Sequence, residues 1–314
     1  MLKYIVRRLL TMIVILFASA FLIFTLLYLT PGDPANAQLG ISATTAEKEA
    51  LRNSLGLNRP YIVQLGEFFY KTFIKFDFGT SWTFGTPVFK ELASRIPRTL
   101  TIGVSAMCIN LVIGILLGIV AGVYAGKWPD TFIMCILMVF IACPSFWIAL
   151  LLILLFSVKL NLLPSFGIGG IEYYIMPILA SAIAGIAVNA RFMRNSIVDV
   201  YRADFIVTAR AKGMQEKRII FKEMLPNAMM PTITNMGRIL SGIIAGSPVI
   251  ESVFSIPGVG NYMLSAINQR DYPAVRGCVM FLAFCVSIIM LLVDLAYAAI
   301  DPRIRAQFSA KRGG

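Results

Sequence analysis

The residues most able to take part in chemistry lie in one charged stretch, 199–226, between long uncharged runs. Carboxylate, ammonium and guanidinium groups suit ion pairs and contacts with a charged partner. General acid–base catalysis and metal binding most often use histidine, which this chain lacks. The five cysteines lie in apolar runs and form no Cys-x-x-Cys pair. We therefore expect neither a catalytic site nor a metal site.

The stretch 199–226 also has an apolar periodicity. Ile220 precedes Met224, and Phe221 precedes Leu225, each by one helical turn. This pattern predicts short amphipathic helices that dock on a partner. Gly213 is expected to provide a left-handed cap for one helix, and Pro226 to end the next.

Two further ionisable residues, Arg238 and Glu251, fall in the apolar stretch of about 229–254. Because a charge at membrane depth is costly, we assign both to a candidate translocation path. Two alternatives stay open for Arg238. It pairs with a carboxylate elsewhere, or it lies near the cytoplasmic boundary with its side chain extended to water.

The composition indicates a membrane protein, since 58% of the 314 residues are hydrophobic and 14% are charged. A net charge of +12 is compatible with nucleic-acid binding in principle. However, the basic residues cluster beside apolar runs, as the positive-inside rule describes. We therefore expect membrane lipid, and no nucleic acid, as a partner.

The fold class predicted is all-α, a polytopic membrane protein with six transmembrane helices and both termini cytoplasmic. The predicted spans are 9–32, 99–126, 131–158, 173–190, 229–254 and 277–300. A cleaved signal peptide is the alternative for the first span, but its apolar run exceeds the usual length of such a segment.

The chain is divided into four parts. Residues 1–32 form an N-terminal transmembrane helix, and 33–97 an extracytoplasmic region with short helices. Residues 98–300 form a five-helix transmembrane core that includes a cytoplasmic elbow at 199–226, and 301–314 form a cytoplasmic tail. Within 63–76, Phe68, Phe69, Tyr70 and Phe73 are either anchors in the membrane interface or ordinary packing residues.

Small residues and prolines predict local geometry in the spans. Gly114, Gly118, Gly122 and Gly126 recur at every fourth position, which favours close packing of helices. Gly242 and Gly246 predict a second close contact of this kind. Pro144 predicts a kink in the third span.

Residues 205–226 resemble the cytoplasmic loop of permease subunits from ATP-driven, binding-protein-dependent importers. The family pattern is Glu-Ala-Ala, three residues, Gly, nine residues and Ile-x-Leu-Pro. Ala209, Gly213, Leu225 and Pro226 match it, whereas the first Glu, the adjacent Ala and the Ile are replaced. Thr208-Ala-Arg-Ala-Lys-Gly213 is similar to the peptide and nickel importer branch. The resemblance covers nearly the whole chain through Pro31-Gly-Asp-Pro34, Asp77-Phe-Gly79, Pro257-Gly-Val-Gly260, Arg270-Asp-Tyr-Pro273 and Asp301-Pro-Arg303.

This resemblance implies a type I ABC importer permease in the cell membrane, whose elbow is a coupling helix for a separate ATPase subunit. It implies coupling roles for residues on and around that helix: Asp204, Thr208, Ala209, Arg210, Lys212, Gly213, Leu225 and Pro226. The implied partners are a second homologous permease, two ATP-binding-cassette subunits and an extracytoplasmic solute-binding protein. ATP and Mg would bind to the ATPase subunits, and this chain would bind no cofactor.

The cargo implied is a dipeptide or oligopeptide, with nickel or a metal chelate as the alternative. An intramembrane enzyme is a distant alternative from another class. The absence of histidine and of a Gly-x-Ser-x-Gly motif disfavours an enzyme.

Overall fold

The computed structural model describes residues 2–40 and 43–300, and within them the regular elements are all helical. The predicted tail at 301–314 lies outside this range. The helices are α1 Leu2–Leu29, α2 Pro34–Leu39, α3 Thr45–Ser54, α4 Tyr61–Phe69, α5 Val88–Val123, α6 Trp128–Ala142, α7 Ser145–Leu152, α8 Glu172–Tyr201, α9 Asp204–Ala211, α10 Glu216–Arg218, α11 Leu225–Val253, α12 Val259–Asn268 and α13 Tyr272–Ile300. Short π-helical segments at Tyr70–Ile74, Ile153–Lys159 and Ile219–Met224 continue α4, α7 and α10.

Four of these helices are long and apolar enough to cross a membrane: Ile5–Leu29, Val88–Val123, Glu172–Tyr201 and Tyr272–Val293. A fifth span results if Trp128–Ala142 and Ser145–Lys159 are counted together. The all-α, multi-span architecture is confirmed. The predicted fifth span corresponds to α11, which contains Asn235, Arg238 and Glu251 and is not among these apolar helices.

The chain forms two compact units, and α5 and α13 contribute to both. The first comprises residues 1–99 and 256–288. Its largest core cluster joins the start of α5 to α12 and the start of α13, with Leu92, Tyr262 and Cys278 buried. The second core cluster of this unit joins Phe24 of α1 and Phe68 of α4 to α13.

Aromatic contacts fix α4 and its π-helical continuation along α1. Phe73 stacks on Phe17 with ring centroids 4.1 Å apart, and Phe68 lies 5.5 Å from Phe24. Four aromatic residues were predicted as possible membrane anchors. Of these, Tyr70 alone is strongly exposed. Ordinary packing therefore accounts for Phe68 and Phe73.

The second unit comprises residues 100–255 and, among the described residues that follow, 289–300, and α8 lies at its centre. One core cluster packs α8 against α5 and α6, and another packs the C-terminal part of α8 against α9 and the segment leading into α11. These contacts place the predicted elbow directly on a membrane-spanning helix.

The glycines predicted to pack closely, at every fourth position from Gly114, form a contact surface between α5 and α8. A Cβ on Gly118 would lie 2.5 Å from the Cβ of Met193, and Gly114 and Gly122 meet α8 with similar closeness. The fourth glycine differs, because Gly126 has a φ of 76° in the turn that follows α5. Among the described residues, no atom lies within 4 Å of the position where a Cβ on Gly242 would be, so the predicted contact is not formed within this part of the chain. The side chain of position 246 lies outside the described part of the chain.

The predicted kink at Pro144 is a sharp break. Helices on either side of it meet at 103°, with Pro144 itself in extended conformation just before α7. Since proline lacks the N–H that would continue the helical hydrogen bonds of α6, the change in direction occurs there. The second predicted span, by contrast, starts earlier than expected, because α5 begins at Val88 and continues through Pro97.

Candidate functional site

The elbow predicted at 199–226 is organised by a helix end at Gly213. The N–H of Met214 donates to the carbonyl of Ala209 at 3.2 Å, and the N–H of Gly213 donates to that of Arg210 at 2.9 Å. Together with a φ of 74° at Gly213, these bonds form a Schellman motif, in which glycine avoids the steric cost of the left-handed conformation. The predicted left-handed cap is confirmed.

One face of the elbow is buried against the spans of its own unit. Ile206, Ala209, Ile219 and Met224 lie in one apolar cluster with residues of α8 that include Met193. Ala209 is only 8% exposed and packs within this cluster, so its predicted coupling role would act through packing inside the chain. A movement of the elbow would therefore be transmitted to α8 through these packing contacts.

The elbow also carries exposed apolar side chains outside this cluster. Phe205, Val207 and Phe221 are 45%, 57% and 65% exposed. The exposed basic residues of the segment 204–226 are Lys212, Lys217, Arg218 and Lys222. We call these exposed apolar and basic residues together the outward elbow face. The apolar periodicity of the sequence predicted that the elbow would dock on a partner. It did not predict which of its residues are exposed.

Arg210 holds the two short helices of the elbow together. Its Nε donates to Glu216 at 2.6 Å, and its guanidinium lies 4.2 Å from the centre of the Tyr201 ring. The hydrogen bond to Glu216 raises the pKa of Arg210. Thr208 donates its hydroxyl proton to the carbonyl of Asp204 at 2.9 Å, and so it also acts within the elbow.

Pro226 does not end a helix, which corrects the sequence prediction. It lies within a continuous helical run that passes from α10 through the π-helical segment Ile219–Met224 into α11. The N–H of Leu225 donates to the carbonyl of Ile220, five residues earlier. This wider turn explains how a helix continues past a residue that has no N–H. Leu225 packs partly against the apolar cluster of the elbow.

A partly buried ion pair links the first turn of α6 to α8. Arg194 of α8 donates to both carboxylate oxygens of Asp130, at 3.0 and 2.6 Å, and Asp130 also accepts from the N–H of Gly126 at 2.9 Å. Asp130 is 4% exposed. Sequence reasoning assigned no role to this pair, because its two residues are far apart in the chain.

The two candidate path residues are placed differently. Arg238 is exposed on α11, whereas Glu251 is completely buried. They are separated by about 20 Å along the helix, since each residue adds about 1.5 Å. The described part of the structure shows no open path beside Glu251, and its assignment to the path stays a prediction.

The first unit assembles three of the short motifs. Asp271 is 1% exposed and accepts hydrogen bonds from the Ser81 hydroxyl and from the N–H groups of Trp82 and Thr83. Arg270 donates to the carbonyl of Pro31 at 2.8 Å. The segments 31–34, 77–83 and 270–273 therefore form one structural cluster, although they are distant in sequence.

Two family models together cover almost the whole chain. Residues 114–306 match the binding-protein-dependent transport system inner membrane component, and residues 1–103 match the N-terminal part of the same kind of membrane component. The chain belongs to this family.

Curated relatives agree with this assignment for the permease. The glutathione transport system permease protein GsiC of Escherichia coli K12 is 38% identical over 305 residues, which are 97% of this chain and 99% of the relative. GsiC of Salmonella typhimurium LT2 matches with the same identity and coverage. The permease is thus a member of the dipeptide and oligopeptide branch of ABC importers.

Solved structures match the fold of the permease. A chain of the MetNI methionine ABC transporter in an inward-facing conformation gives a TM-score of 0.58 at 18% identity, covering 68% of the permease and 97% of that chain. A chain of an amino acid ABC transporter gives 0.51 at 16% identity, with 68% and 94% coverage. The permease is a multi-pass inner-membrane transport component rather than an enzyme, and its family works with ATPase and binding-protein partners.

Proposed function

We propose that this permease forms the path for short peptides in an ATP-driven importer, and that the outward elbow face receives the movement of a separate ATPase subunit. The observation that carries the proposal is the two-sided elbow. Ile206 is fully buried against the spans, while Phe221 is 65% exposed on the outward side. Such an element joins a partner surface to a membrane helix.

The chemistry of the outward elbow face fits a protein partner. Exposed aromatic rings flanked by arginine and lysine are typical of interfaces whose centre is apolar and whose rim is charged. The full assembly proposed contains a second homologous permease, two ATPase subunits and an extracytoplasmic solute-binding protein. ATP and Mg bind to the ATPase subunits in this proposal, and the permease supplies no cofactor site.

The proposed peptide cargo is supported by the relatives, which are named for the transport of glutathione, itself a short peptide. A proteoliposome experiment with the complete complex tests it directly. We expect ATP-dependent uptake of labelled tripeptides that unlabelled tripeptides compete for and nickel chelates do not. Competition by a nickel chelate alone would favour the metal branch and contradict the peptide assignment.

Arg238 is proposed to contribute to permeation, because it is exposed on α11 and its guanidinium can hold a carboxylate. We expect Arg238→Ala to reduce peptide uptake while ATP hydrolysis continues. Lys90→Ala is the matched control for loss of one exposed positive charge outside α11 and outside the elbow. Unchanged uptake by a fully assembled Arg238→Ala complex would refute this role.

A further inference from the structure

The first unit contains an open cavity of about 600 Å³. It is bounded by the end of α1, the α2–α3 segment, α4, the loop 77–82 and the start of α13. Small-molecule sites usually have volumes of about 300–1,000 Å³. The cavity therefore has room for a ligand the size of a short peptide.

Arg276 places a guanidinium in the wall of this cavity. The group lies over two aromatic rings, 5.0 Å from the centre of Phe68 and 5.5 Å from that of Phe24. Its Nε donates to the carbonyl of Tyr272 at 3.2 Å, and among the described residues Arg276 is in no ion pair. The two terminal nitrogens form the fork that arginine uses for carboxylates.

Other charges around the cavity are partly neutralised within the chain. Asp33 pairs with Arg52 at 2.6 Å, and Glu67 pairs with Arg59. In the described part of the wall, Lys71, Asp77 and Arg276 remain outside ion pairs. Asp77 is exposed and accepts the N–H of Gly79 at 2.8 Å. The cavity thus offers both positive and negative groups to a ligand.

Aromatic rings complete the lining. Tyr28, Trp82 and Tyr272 all face the cavity, and Tyr28 is 47% exposed. Aromatic and apolar walls with a few polar groups are typical of sites for small organic molecules, because the walls bury the ligand and the polar groups orient it. A small zwitterion with apolar side chains matches this combination.

We infer that this cavity is a binding site for short peptides, with Arg276 holding the terminal carboxylate and Asp77 holding the terminal ammonium group. The choice of a peptide rests on the proposed function, whereas the choice of a carboxylate rests on the Arg276 guanidinium, which forms no ion pair among the described residues. The site is separate from the elbow, so the test is equilibrium binding to the full-length permease without its ATPase. A failure of peptide binding here would leave the proposed coupling untouched.

The first test changes the ligand and leaves the protein intact. Trialanine, its C-terminal amide and its N-acetyl derivative are titrated into the purified permease in neutral detergent, with binding followed by calorimetry. We expect trialanine to bind, and each blocked derivative to bind about tenfold more weakly, as for loss of one charge-assisted hydrogen bond. Equal affinity of trialanine and its amide would overturn the inference.

The second test changes the protein. Arg276→Met is expected to make the acid and the amide bind equally, and Asp77→Asn to make trialanine and its N-acetyl derivative bind equally. Lys90→Met, an exposed change outside the cavity, is the control that should preserve both differences. Since Arg276 contacts core rings, the exposed Asp77 variant keeps the test valid if Arg276→Met fails to fold.

A lipid headgroup would also present an anion to Arg276. Trialanine is therefore titrated again with phosphatidylglycerol added to the detergent micelles. Retained trialanine binding supports the peptide site. Loss of binding at low lipid content would assign the cavity to a lipid phosphate and overturn the inference.

Discussion

Gly118 of α5 lies directly under Met193 of α8, so close that a Cβ on the glycine would stand 2.5 Å from the Met193 Cβ and 2.7 Å from the carbonyl oxygen of Ala190. Met193 is also part of the apolar cluster that holds the elbow. The same turn of α8 thus contacts a neighbouring span on one side and the elbow on the other. This arrangement gives the elbow a rigid connection to the membrane helices.

Gly118→Ala is expected to destabilise the permease, because the backbone of α8 must shift to admit one methyl group. We expect a lower midpoint of thermal unfolding in detergent, together with reduced uptake. Gly242→Ala is the matched control in α11, where no atom lies within 4 Å of the new Cβ. That control should be neutral or stabilising by up to about 1 kcal/mol, since alanine favours helices over glycine. Equal loss of stability in both variants would contradict the close-contact account.

Arg194→Met is expected to lower stability by about 1–3 kcal/mol, the usual scale for hydrogen bonds to a charged group left without its partner. The buried Asp130 would lose both bonds from the guanidinium and keep the N–H of Gly126. Chemical denaturation of the purified permease measures the effect. Arg191→Met, an exposed change one turn earlier on α8, should have little effect. Equal losses of stability in the Arg194 and Arg191 variants would contradict a contribution of the ion pair to stability.

Gly213→Pro is expected to uncouple ATP hydrolysis from uptake while the spans remain inserted. Proline requires a φ near −65°, and the native φ is 74°. Gly213→Asn is the control, because asparagine tolerates the left-handed region better than other residues. Hydrolysis and uptake are measured in the same proteoliposomes. Normal coupling in the proline variant would mean that the Gly213 turn is not needed to transmit movement.

The pair of Asp33 and Arg52 predicts a pH dependence in the first unit. Burial raises the pKa of the Asp33 carboxyl, but hydrogen bonds from Arg52 and Ala35 outweigh this and hold the pKa below its usual value of 3.8. A lowered folded-state pKa means that the stabilisation is present above pH 3.8 and is lost as the pH falls through the folded value.

We therefore expect the thermal stability of the permease to fall more steeply below pH 3.8 than that of Asp33→Asn, which lacks the titrating group. Glu49→Gln, an exposed change in α3, is the control that should follow the unmodified chain. Identical acid profiles for the unmodified chain and Asp33→Asn would refute the link.

Sequence patterns predicted those features that depend on one residue type or on a repeat. The glycine spacing predicted the α5 contact surface, Pro144 the break, and Gly213 the left-handed turn, because each residue restricts the local backbone directly. The spacing gave no such contact at Gly242, where no atom of the described residues lies within 4 Å of an added Cβ.

Features that depend on helix rotation or on distant residues were not predictable in this way. The burial of Ala209 and Glu251 is an example, since sequence alone does not fix which side of a helix is covered. Pro226 was expected to end a helix, but a π-helical turn lets the chain continue. The cavity around Arg276 needs segments more than 200 residues apart, and no local pattern brings them together.

The outward elbow face is proposed to transmit the movement of the ATPase subunit to the membrane helices. Phe221→Asp tests this proposal most directly. Peptide uptake and ATP hydrolysis are measured with the complete complex in proteoliposomes, beside Phe166→Asp as the control. Both rings are strongly exposed, at 65% and 57%, but only Phe221 lies on the elbow. We predict that Phe221→Asp reduces uptake about tenfold or more, as for loss of an interface anchor, while Phe166→Asp retains it. Normal uptake and hydrolysis in Phe221→Asp would contradict the account.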